Sequence, residues 1–91
     1  MVTLNFPTIK AKVKKGNDGN FSIYDPLRKK FLLLTPEEWV RQHILHWLVD
    51  YKNVPASNIS IEKQILFNER KKRFDILCYK SGSPYLLIEC K

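Results

Sequence analysis

The chain has 91 residues, of which 16 are Lys or Arg and 9 are Asp or Glu, so its formal net charge is +7 at pH 7. A chain of this length closes one modest hydrophobic core, which excludes a multidomain motor or synthase. Its apolar runs are far shorter than the roughly 20 residues of a membrane helix, and no secretory signal follows Met1, so we expect a soluble cytoplasmic domain.

The first third of the chain predicts a small antiparallel β structure. Apolar residues alternate with lysines over 9–14, which is the period of a half-buried strand, and a turn sequence follows at 16–19. The alternation then resumes, so residues 8–25 predict a β-hairpin followed by a turn and a short apolar segment that ends at Leu34. We expect residues 1–34 to form a β extension in front of the core.

A strong helix start follows this extension. Thr35 is a typical N-cap, Pro36 suits the first helical position, and Glu38 is placed to close a capping box. The helix is predicted from Pro36 to about Tyr51. Its core face is predicted from apolar residues spaced by three and four positions: Val40, Ile44, Trp47, Leu48 and Tyr51.

The rest of the sequence predicts an antiparallel meander. Strands are expected at 58–67, 73–79 and 85–91, with a basic turn at 68–72 and a loop at 80–84. The fold class is therefore α+β, with residues 35–91 forming a core of one helix and three strands. Cys78 and Cys90 lie within apolar runs, and we expect both thiols to be reduced and buried.

Basic residues gather in three clusters, each of which could follow a phosphate backbone. The clusters are the lysines of 10–15, the triplet Arg28–Lys30 and the quartet Arg70–Arg73. A single cluster is also typical of a solvated face or of edge-strand lysines that block aggregation. Three clusters in a chain of charge +7 favour a polyanionic partner. The residues expected to contact nucleic acid are Lys12, Lys14, Arg70, Lys71, Lys72 and Arg73.

Two carboxylates occur in otherwise apolar strands, Asp75 and Glu89. If the last loop is centred on Gly82, the antiparallel register places Asp75 opposite Glu89. Directly opposed like charges destabilise a sheet unless a cation or a shared proton intervenes, and a bound Mg²⁺ would relieve the repulsion. Lys91 is expected on the same face as Glu89, about 7 Å further along the strand.

This arrangement suits phosphodiester hydrolysis. A metal ligated by oxygen would polarise the scissile phosphate and lower the pKa of its water, and Lys91 would help to position that water. The alternative is a purely structural cluster in which Asp75 pairs with Arg73 or Lys91 at the end of the sheet. Spacing alone gives the two interpretations equal weight.

Asp75 followed by Glu89-Cys90-Lys91, with a helix in front, resembles the PD-(D/E)xK nuclease signature. Longer segments are similar to the N-terminal domain of type I restriction enzyme R subunits and their stand-alone relatives. These segments are Asp25–Lys30, Leu34–Gln42, Lys71–Ile76 and Leu87–Lys91. The resemblance covers nearly the whole chain and implies a restriction endonuclease-like core.

By this resemblance, Asp75 and Glu89 would bind Mg²⁺ or Mn²⁺ and Lys91 would be the catalytic lysine. It also implies DNA as the substrate, and the methylation and specificity subunits of a restriction system as partners. The chain departs from the family pattern at Phe74, where the family signature has Pro.

The family often adds a polar helix residue, usually Glu, that approaches the metal. Glu38 and Glu37 are both candidates for this role, and Gln42 is a third. The capping box already accounts for Glu38, whereas Glu37 lies nearer the predicted core face on a helical wheel.

The family fold continues past the catalytic lysine into a further helix and strand, so we expect these residues to be a partial core. Three functions remain open. The first is a Mg²⁺-dependent DNA endonuclease domain. The second is a catalytically silent module that binds DNA through the lysines of 10–15 and through Arg70–Arg73. The third is an assembly domain whose exposed sheet pairs with another chain, for instance in a homodimer.

Overall fold

The structure is a computed structural model that describes residues 9–90, and the chain divides into two compact units, Met1–Trp47 and Leu48–Lys91. The elements are β1 (Val13–Lys15), β2 (Phe21–Asp25), β3 (Lys30–Leu33), α1 (Pro36–Asp50), a short 3₁₀ turn (Ala56–Asn58), β4 (Ile59–Phe67), β5 (Arg70–Lys80) and β6 (Ser83–Ile88). One helix therefore lies between two three-stranded antiparallel sheets in the sequence, and the predicted α+β class is confirmed.

The first sheet has the strand order β1-β2-β3. The β1–β2 loop is closed by a hydrogen bond of 2.8 Å from the Gly16 N–H to the Asn20 carbonyl, and Gly19 has a φ of +84°. Strand β3 replaces the short apolar segment predicted there, so the hairpin is a three-stranded meander. The sequence of β3 does not alternate between apolar and polar residues, because it has apolar residues on both faces. Phe31 lies opposite Tyr24 on one face, and Leu32 lies on the other.

Helix α1 begins where the capping residues predict. The Thr35 hydroxyl accepts a hydrogen bond of 3.0 Å from the Glu38 N–H, as an N-cap does. The helix ends at Asp50, one residue before the predicted end. Within the described part of the chain, no helix is long and apolar enough to cross a membrane.

The predicted core face of α1 is partly wrong. Leu48 is buried as expected, but Tyr51 is 60% exposed, and Leu45, which lay outside the predicted stripe, is fully buried. The buried side of α1 also includes the polar residues Arg41 and Gln42. The predicted stripe missed this face because it assigns polar residues to the solvent side, whereas Arg41 and Gln42 are buried along with Leu45.

The second sheet has the order β4-β5-β6, and Ile76 in its central strand pairs with Ile61 on one side and Ile88 on the other. Both of its hairpins are closed by two-residue turns with positive φ at each position. These turns are Asn68–Glu69 and Ser81–Gly82. Positive φ at both central residues is the geometry of a type I′ turn, which matches the twist of the flanking strands.

The compact turn at Asn68–Glu69 corrects the predicted strand limits. The basic residues placed in a turn belong to β5, which begins at Arg70 rather than at 73, and β6 spans Ser83–Ile88 rather than 85–91. Strands β4 and β5 pair on from Lys63↔Phe74 to their turn, beyond the last pair that β6 makes with β5. We call this two-stranded extension, residues 63–74, the β4–β5 ribbon.

The core of the second unit lies along the middle of β5. Ile76, Leu77 and Cys78 are each fully buried. Cys78 and Cys90 are both reduced thiols and both buried, as predicted. Burial raises the pKa of the Cys78 thiol, which keeps it protonated and unreactive.

Candidate functional site

The two carboxylates predicted to face each other lie at the same end of the β5–β6 pair. Ile76 and Ile88 are the last partners in this part of the ladder, so Asp75 and Glu89 come immediately beyond it, in the predicted register. The Asp75 Oδ2 atom accepts a hydrogen bond of 2.6 Å from the backbone N–H of Cys90. This bond fastens the segment after β6 to the central strand and fixes one oxygen of the Asp75 carboxylate.

Glu89 carries a cation of the protein's own. The Lys72 Nζ lies 2.9 Å from the Glu89 Oε1, and the two side chains are 49% and 30% exposed. The same Nζ lies 5.4 Å from the centre of the Phe74 ring. Lys72 and Phe74 share one face of β5 by strand alternation, whereas Asp75 has the opposite parity. Each carboxylate thus has its own donor, an ammonium for Glu89 and a backbone amide for Asp75.

A third acidic residue, Glu62, occupies the matching position on the other neighbouring strand. It lies between the pairs Ile61↔Ile76 and Lys63↔Phe74, at the one position that the β4–β5 ladder skips, and it has a φ of +55°. This left-handed conformation is unfavourable for a residue with a side chain, and such positions cluster at functional sites. The Glu62 carboxylate forms an ion pair of 3.0 Å with Arg73, the residue that the structural alternative paired with Asp75. Nothing in the sequence indicated the unusual backbone at Glu62.

Glu38, one of the helix carboxylates considered as a metal ligand, is held by basic and amide groups of its own unit. Its oxygens accept two hydrogen bonds from Arg28 at 2.9 and 3.1 Å, one from Arg41 at 2.8 Å and one from Gln42 at 3.0 Å. Those four contacts match the lone-pair capacity of a carboxylate. The capping box is therefore half formed, since the Thr35 hydroxyl caps the helix while the Glu38 carboxylate points to these donors instead.

Asp25 extends this arrangement into the β2–β3 loop. Its fully buried carboxylate accepts hydrogen bonds from the backbone N–H groups of Leu27 and Arg28 and from the Arg28 guanidinium, at 2.8, 3.0 and 2.6 Å. Burial by itself would raise the pKa of Asp25, but the hydrogen bonds and charge of Arg28 outweigh it and hold the pKa below its ordinary value. Arg28 belongs to a basic cluster that could follow a phosphate backbone, but in the structure its guanidinium bridges Asp25 and Glu38.

We call these residues the buried ionic network: Asp25, Arg28, Glu38, Arg41 and Gln42. Sequence reasoning missed this network. The available signal was the alternation of β2, because Asp25 has the same parity as the buried Ile23 and must therefore face the same side.

The other two helix candidates occupy very different environments. The Glu37 side chain is 56% exposed and forms an ion pair of 2.8 Å with Arg41, so the expectation that it lies nearer the core than Glu38 is wrong. Gln42 is fully buried, and its Oε1 has no hydrogen-bond partner among residues 9–90. Of the three candidates, Gln42 is the one that keeps a buried oxygen without a hydrogen bond inside the described range.

Carboxylate oxygens are the ligands that Mg²⁺ and Mn²⁺ prefer, so the chemistry of Asp75 and Glu89 fits such an ion. Glu89 already pairs with the ammonium of Lys72, so a metal ion at this carboxylate would have to displace that cation. Between residues 9 and 90, no group of three or more His, Cys, Asp or Glu side chains is arranged to hold a metal. Lys91, the predicted catalytic lysine, lies outside the described residues.

Four of the six basic residues expected to contact nucleic acid, Arg70–Arg73, are exposed in the β4–β5 ribbon next to its turn. Arg70, Lys71 and Lys72 line a cavity of about 450 Å³ there, together with Asn68. Three cations and one amide offer hydrogen-bond donors, which suits an anionic ligand such as a phosphate group.

The other predicted contacts lie on the outer face of the first sheet. The Lys12 and Lys14 ammonium groups lie 5.7 and 4.0 Å from the centres of the Tyr24 and Phe31 rings, respectively. The two rings pack edge to face with their centres 5.2 Å apart. This unit therefore also exposes a basic surface, and aromatic rings lie directly beneath it.

Comparison with known proteins assigns most of the chain, from the start of α1 onward, to a family. The family model described as type I restriction enzyme R protein N terminus (HSDR_N) matches residues 36–91. The match includes α1, all of β4–β6 and both candidate carboxylates. A search of curated proteins and a search of solved structures each found no significant match.

Proposed function

The chain belongs to the family of type I restriction enzyme R protein N termini, and from that premise we propose that it is a Mg²⁺-dependent DNA endonuclease domain of the PD-(D/E)xK type. Family membership also gives a restriction-modification context. The observation that supports the proposal most is the register of Asp75 and Glu89, which occupy matching positions immediately beyond the last β5–β6 pair. On this proposal DNA is the substrate, and the methylation and specificity subunits of a restriction system are the partners.

The roles of the residues follow from their positions. Asp75 would be one ligand of Mg²⁺ or Mn²⁺, and the Cys90 amide orients its carboxylate. Glu89 would be the second ligand, and Lys91 would hold the attacking water, as the resemblance implies. A bound metal would polarise the scissile phosphate and lower the pKa of the attacking water. The exposed basic side chains of the ribbon would bind phosphates that flank the scissile one.

The helix candidates differ in how free their side-chain oxygens are to act as ligands. Glu38 is bound to two arginines and an amide, and releasing it would break the buried ionic network. Glu37 is exposed and ion-paired to Arg41. Gln42 has a buried Oε1 that makes no hydrogen bond within residues 9–90, so of the three helix candidates it has the oxygen that is most available as a ligand.

Metal titration tests the proposal directly. Isothermal titration calorimetry with Mn²⁺ should show binding to the wild-type chain that is lost in Asp75→Asn and in Glu89→Gln. Glu69→Gln is the matched control, because it removes one exposed carboxylate from the same unit without touching the pair. Nicking of a supercoiled plasmid by the wild-type chain, followed on a gel, should disappear in the same two variants. Unchanged Mn²⁺ affinity in both variants would contradict the proposal.

A catalytically silent DNA-binding module is the second candidate. Two observations favour it. The carboxylates of Asp75, Glu89 and Glu38 are already bound to groups of the protein itself, and the ribbon has an exposed basic cavity. This candidate predicts a duplex affinity that is the same in EDTA as in Mg²⁺ and that survives Asp75→Asn. A chain that forms a concentration-dependent dimer and has no affinity for DNA would instead be an assembly module.

A further inference from the structure

Lys72 belongs to two features of the second unit at once. Its ammonium forms the ion pair with Glu89, at 2.9 Å, and its side chain also lines the basic cavity of the ribbon beside Asn68, Arg70 and Lys71. A candidate metal ligand and a candidate phosphate pocket therefore share one flexible cation.

We propose that Lys72 is a switch that exchanges between Glu89 and a backbone phosphate of DNA. Without DNA, the ammonium neutralises Glu89 and competes with a divalent cation for that carboxylate. When a phosphate enters the cavity, the ammonium turns to it and Glu89 becomes available to the metal. This inference rests on the proposed function, because it assumes that Glu89 is a metal ligand.

The chemistry of the two positions makes the exchange feasible. A lysine ammonium is a compact charge on a four-carbon stem and can redirect its three donors without moving the backbone. The Lys72–Glu89 pair is 49% and 30% exposed, and ion pairs this accessible to water contribute little to stability. A phosphodiester in the cavity would gain Lys72 as a further cation beside Arg70 and Lys71.

The consequence is a coupling between the two ligands. Phosphate draws Lys72 away from Glu89, and a metal at Glu89 displaces Lys72 toward the phosphate, so each ligand strengthens the binding of the other. Such coupling is reciprocal by thermodynamic linkage. The coupling cannot exceed the strength of the exposed Lys72–Glu89 ion pair, so we expect metal affinity to change by roughly three- to fivefold.

Two substitutions on neighbouring positions separate this switch from a general effect of charge. Lys72→Met removes the ammonium that contacts Glu89, whereas Lys71→Met removes an equal charge from the same cavity and strand. Both side chains are exposed, so both variants should fold like the wild-type chain, which circular dichroism checks. Lys72→Arg provides a third variant with a cation that grips a carboxylate through two hydrogen bonds.

The first measurement is calorimetric titration of the DNA-free chain with Ca²⁺, a hard cation that carboxylates bind. Lys72→Met should bind Ca²⁺ about three to five times more tightly than the wild-type chain does. Lys71→Met should bind it like the wild-type chain, and Lys72→Arg should bind it no more tightly. The second measurement adds a saturating short DNA duplex, checked for cleavage on a gel, which should tighten Ca²⁺ binding in the wild-type chain but not in Lys72→Met.

The outcomes distinguish failure of the switch from failure of the proposed function. Equal Ca²⁺ affinity in the wild-type chain and Lys72→Met would overturn the switch and leave the proposed function standing. The same gain in Lys71→Met as in Lys72→Met would overturn it as well, because the effect would then be one of overall charge. If neither the wild-type chain nor Lys72→Met binds Ca²⁺, Mg²⁺ or Mn²⁺, the proposed function fails and the switch fails with it.

Discussion

Glu38 lies where two arginines and a glutamine converge, and its carboxylate links the start of α1 to the β2–β3 loop through Arg28. Removing one partner of a buried ion pair leaves the other charge uncompensated, which is far more costly than losing an exposed pair. We therefore expect Glu38→Gln to lower the free energy of unfolding by about 3 kcal/mol in a urea titration followed by circular dichroism.

Glu37→Gln is the control for this measurement. It makes the same chemical change one residue earlier in α1, where the side chain is 56% exposed and has an ion pair with Arg41. Its cost should stay below about 1 kcal/mol. Equal losses in the two variants would mean that the buried ionic network does not hold Glu38 in the way described.

Asp25 makes the stability of the first unit depend on pH. Its pKa is lower in the folded chain than in the unfolded chain, so the stabilisation is complete above the ordinary pKa and is lost as the pH falls through the lowered one. Urea titrations between about pH 5 and pH 2 should show this loss, with most of it below about pH 4. Asp25→Asn should flatten the profile.

Asp18 provides the comparison for this pH profile. Its pKa is also lowered, by hydrogen bonds from Asn20, but the side chain is fully exposed in the β1–β2 loop. Asp18→Asn should change the profile much less than Asp25→Asn, because solvent screens an exposed group. A wild-type profile that Asp25→Asn leaves unaltered would show that another carboxyl group is responsible.

These residues also show what could be predicted from sequence at this scale. The predicted positions of Asp75 and Glu89 hold for a reason that the sequence did not show. The two-residue turn alone would place Asp75 opposite Ile88, and an irregularity between Cys78 and Tyr79 shifts the register by one residue. The contact of Arg28 with Glu38 could not be predicted, because it depends on how the β2–β3 loop folds over the helix start. Charged residues are usually solvent-exposed, and only their mutual pairing allows these to be buried.

At the scale of elements, the turn of the β4–β5 ribbon has a backbone that its sequence does not favour. Asn68 tolerates a positive φ, but Glu69 has a φ of +64° and carries a side chain in a position that type I′ turns usually give to Gly. We expect Glu69→Gly to raise the free energy of unfolding by about 0.5 to 1 kcal/mol, measured by urea titration.

Glu69→Ala separates backbone strain from charge in this turn. Alanine removes the acidic group from a basic segment but keeps the Cβ atom, so it should not reproduce the gain of Glu69→Gly. If the two variants were equally stable, repulsion or attraction of the carboxylate would explain the effect and the strain argument would be wrong.

The presence or absence of local signals explains which elements could be predicted from the sequence. The start of α1 was predictable because its signals, Thr35 and Pro36, are local and act within one turn of helix. The sequence predicts too short a ribbon because Asn68–Glu69 lacks the glycine that normally marks a two-residue hairpin, and the adjacent basic residues Arg70–Lys72 are then assigned to the turn. A two-stranded ribbon accepts consecutive charges because residues on both of its faces can reach water.

At the scale of the whole molecule, the net charge of +7 is not spread evenly over the exposed basic residues. Arg28 is neutralised within the buried ionic network, whereas Arg70, Lys71 and Lys72 concentrate around one cavity. Local concentration matters because each phosphate contact releases condensed counterions, and overall charge without contact does not. We therefore expect particular lysines of the ribbon, and not the overall charge, to set DNA affinity. The salt dependence of binding can test this.

Lys71 and Lys80 provide that test, since both are exposed lysines of β5 at opposite ends of the strand. Each phosphate contact contributes about 0.9 to the slope of log affinity against log salt concentration for duplex DNA. Lys71→Gln should therefore reduce the slope by about 0.9 in fluorescence anisotropy titrations, and Lys80→Gln should leave it nearly unchanged. Both variants have the same net charge, so equal slopes in the two would show that DNA responds to total charge and does not dock on the ribbon.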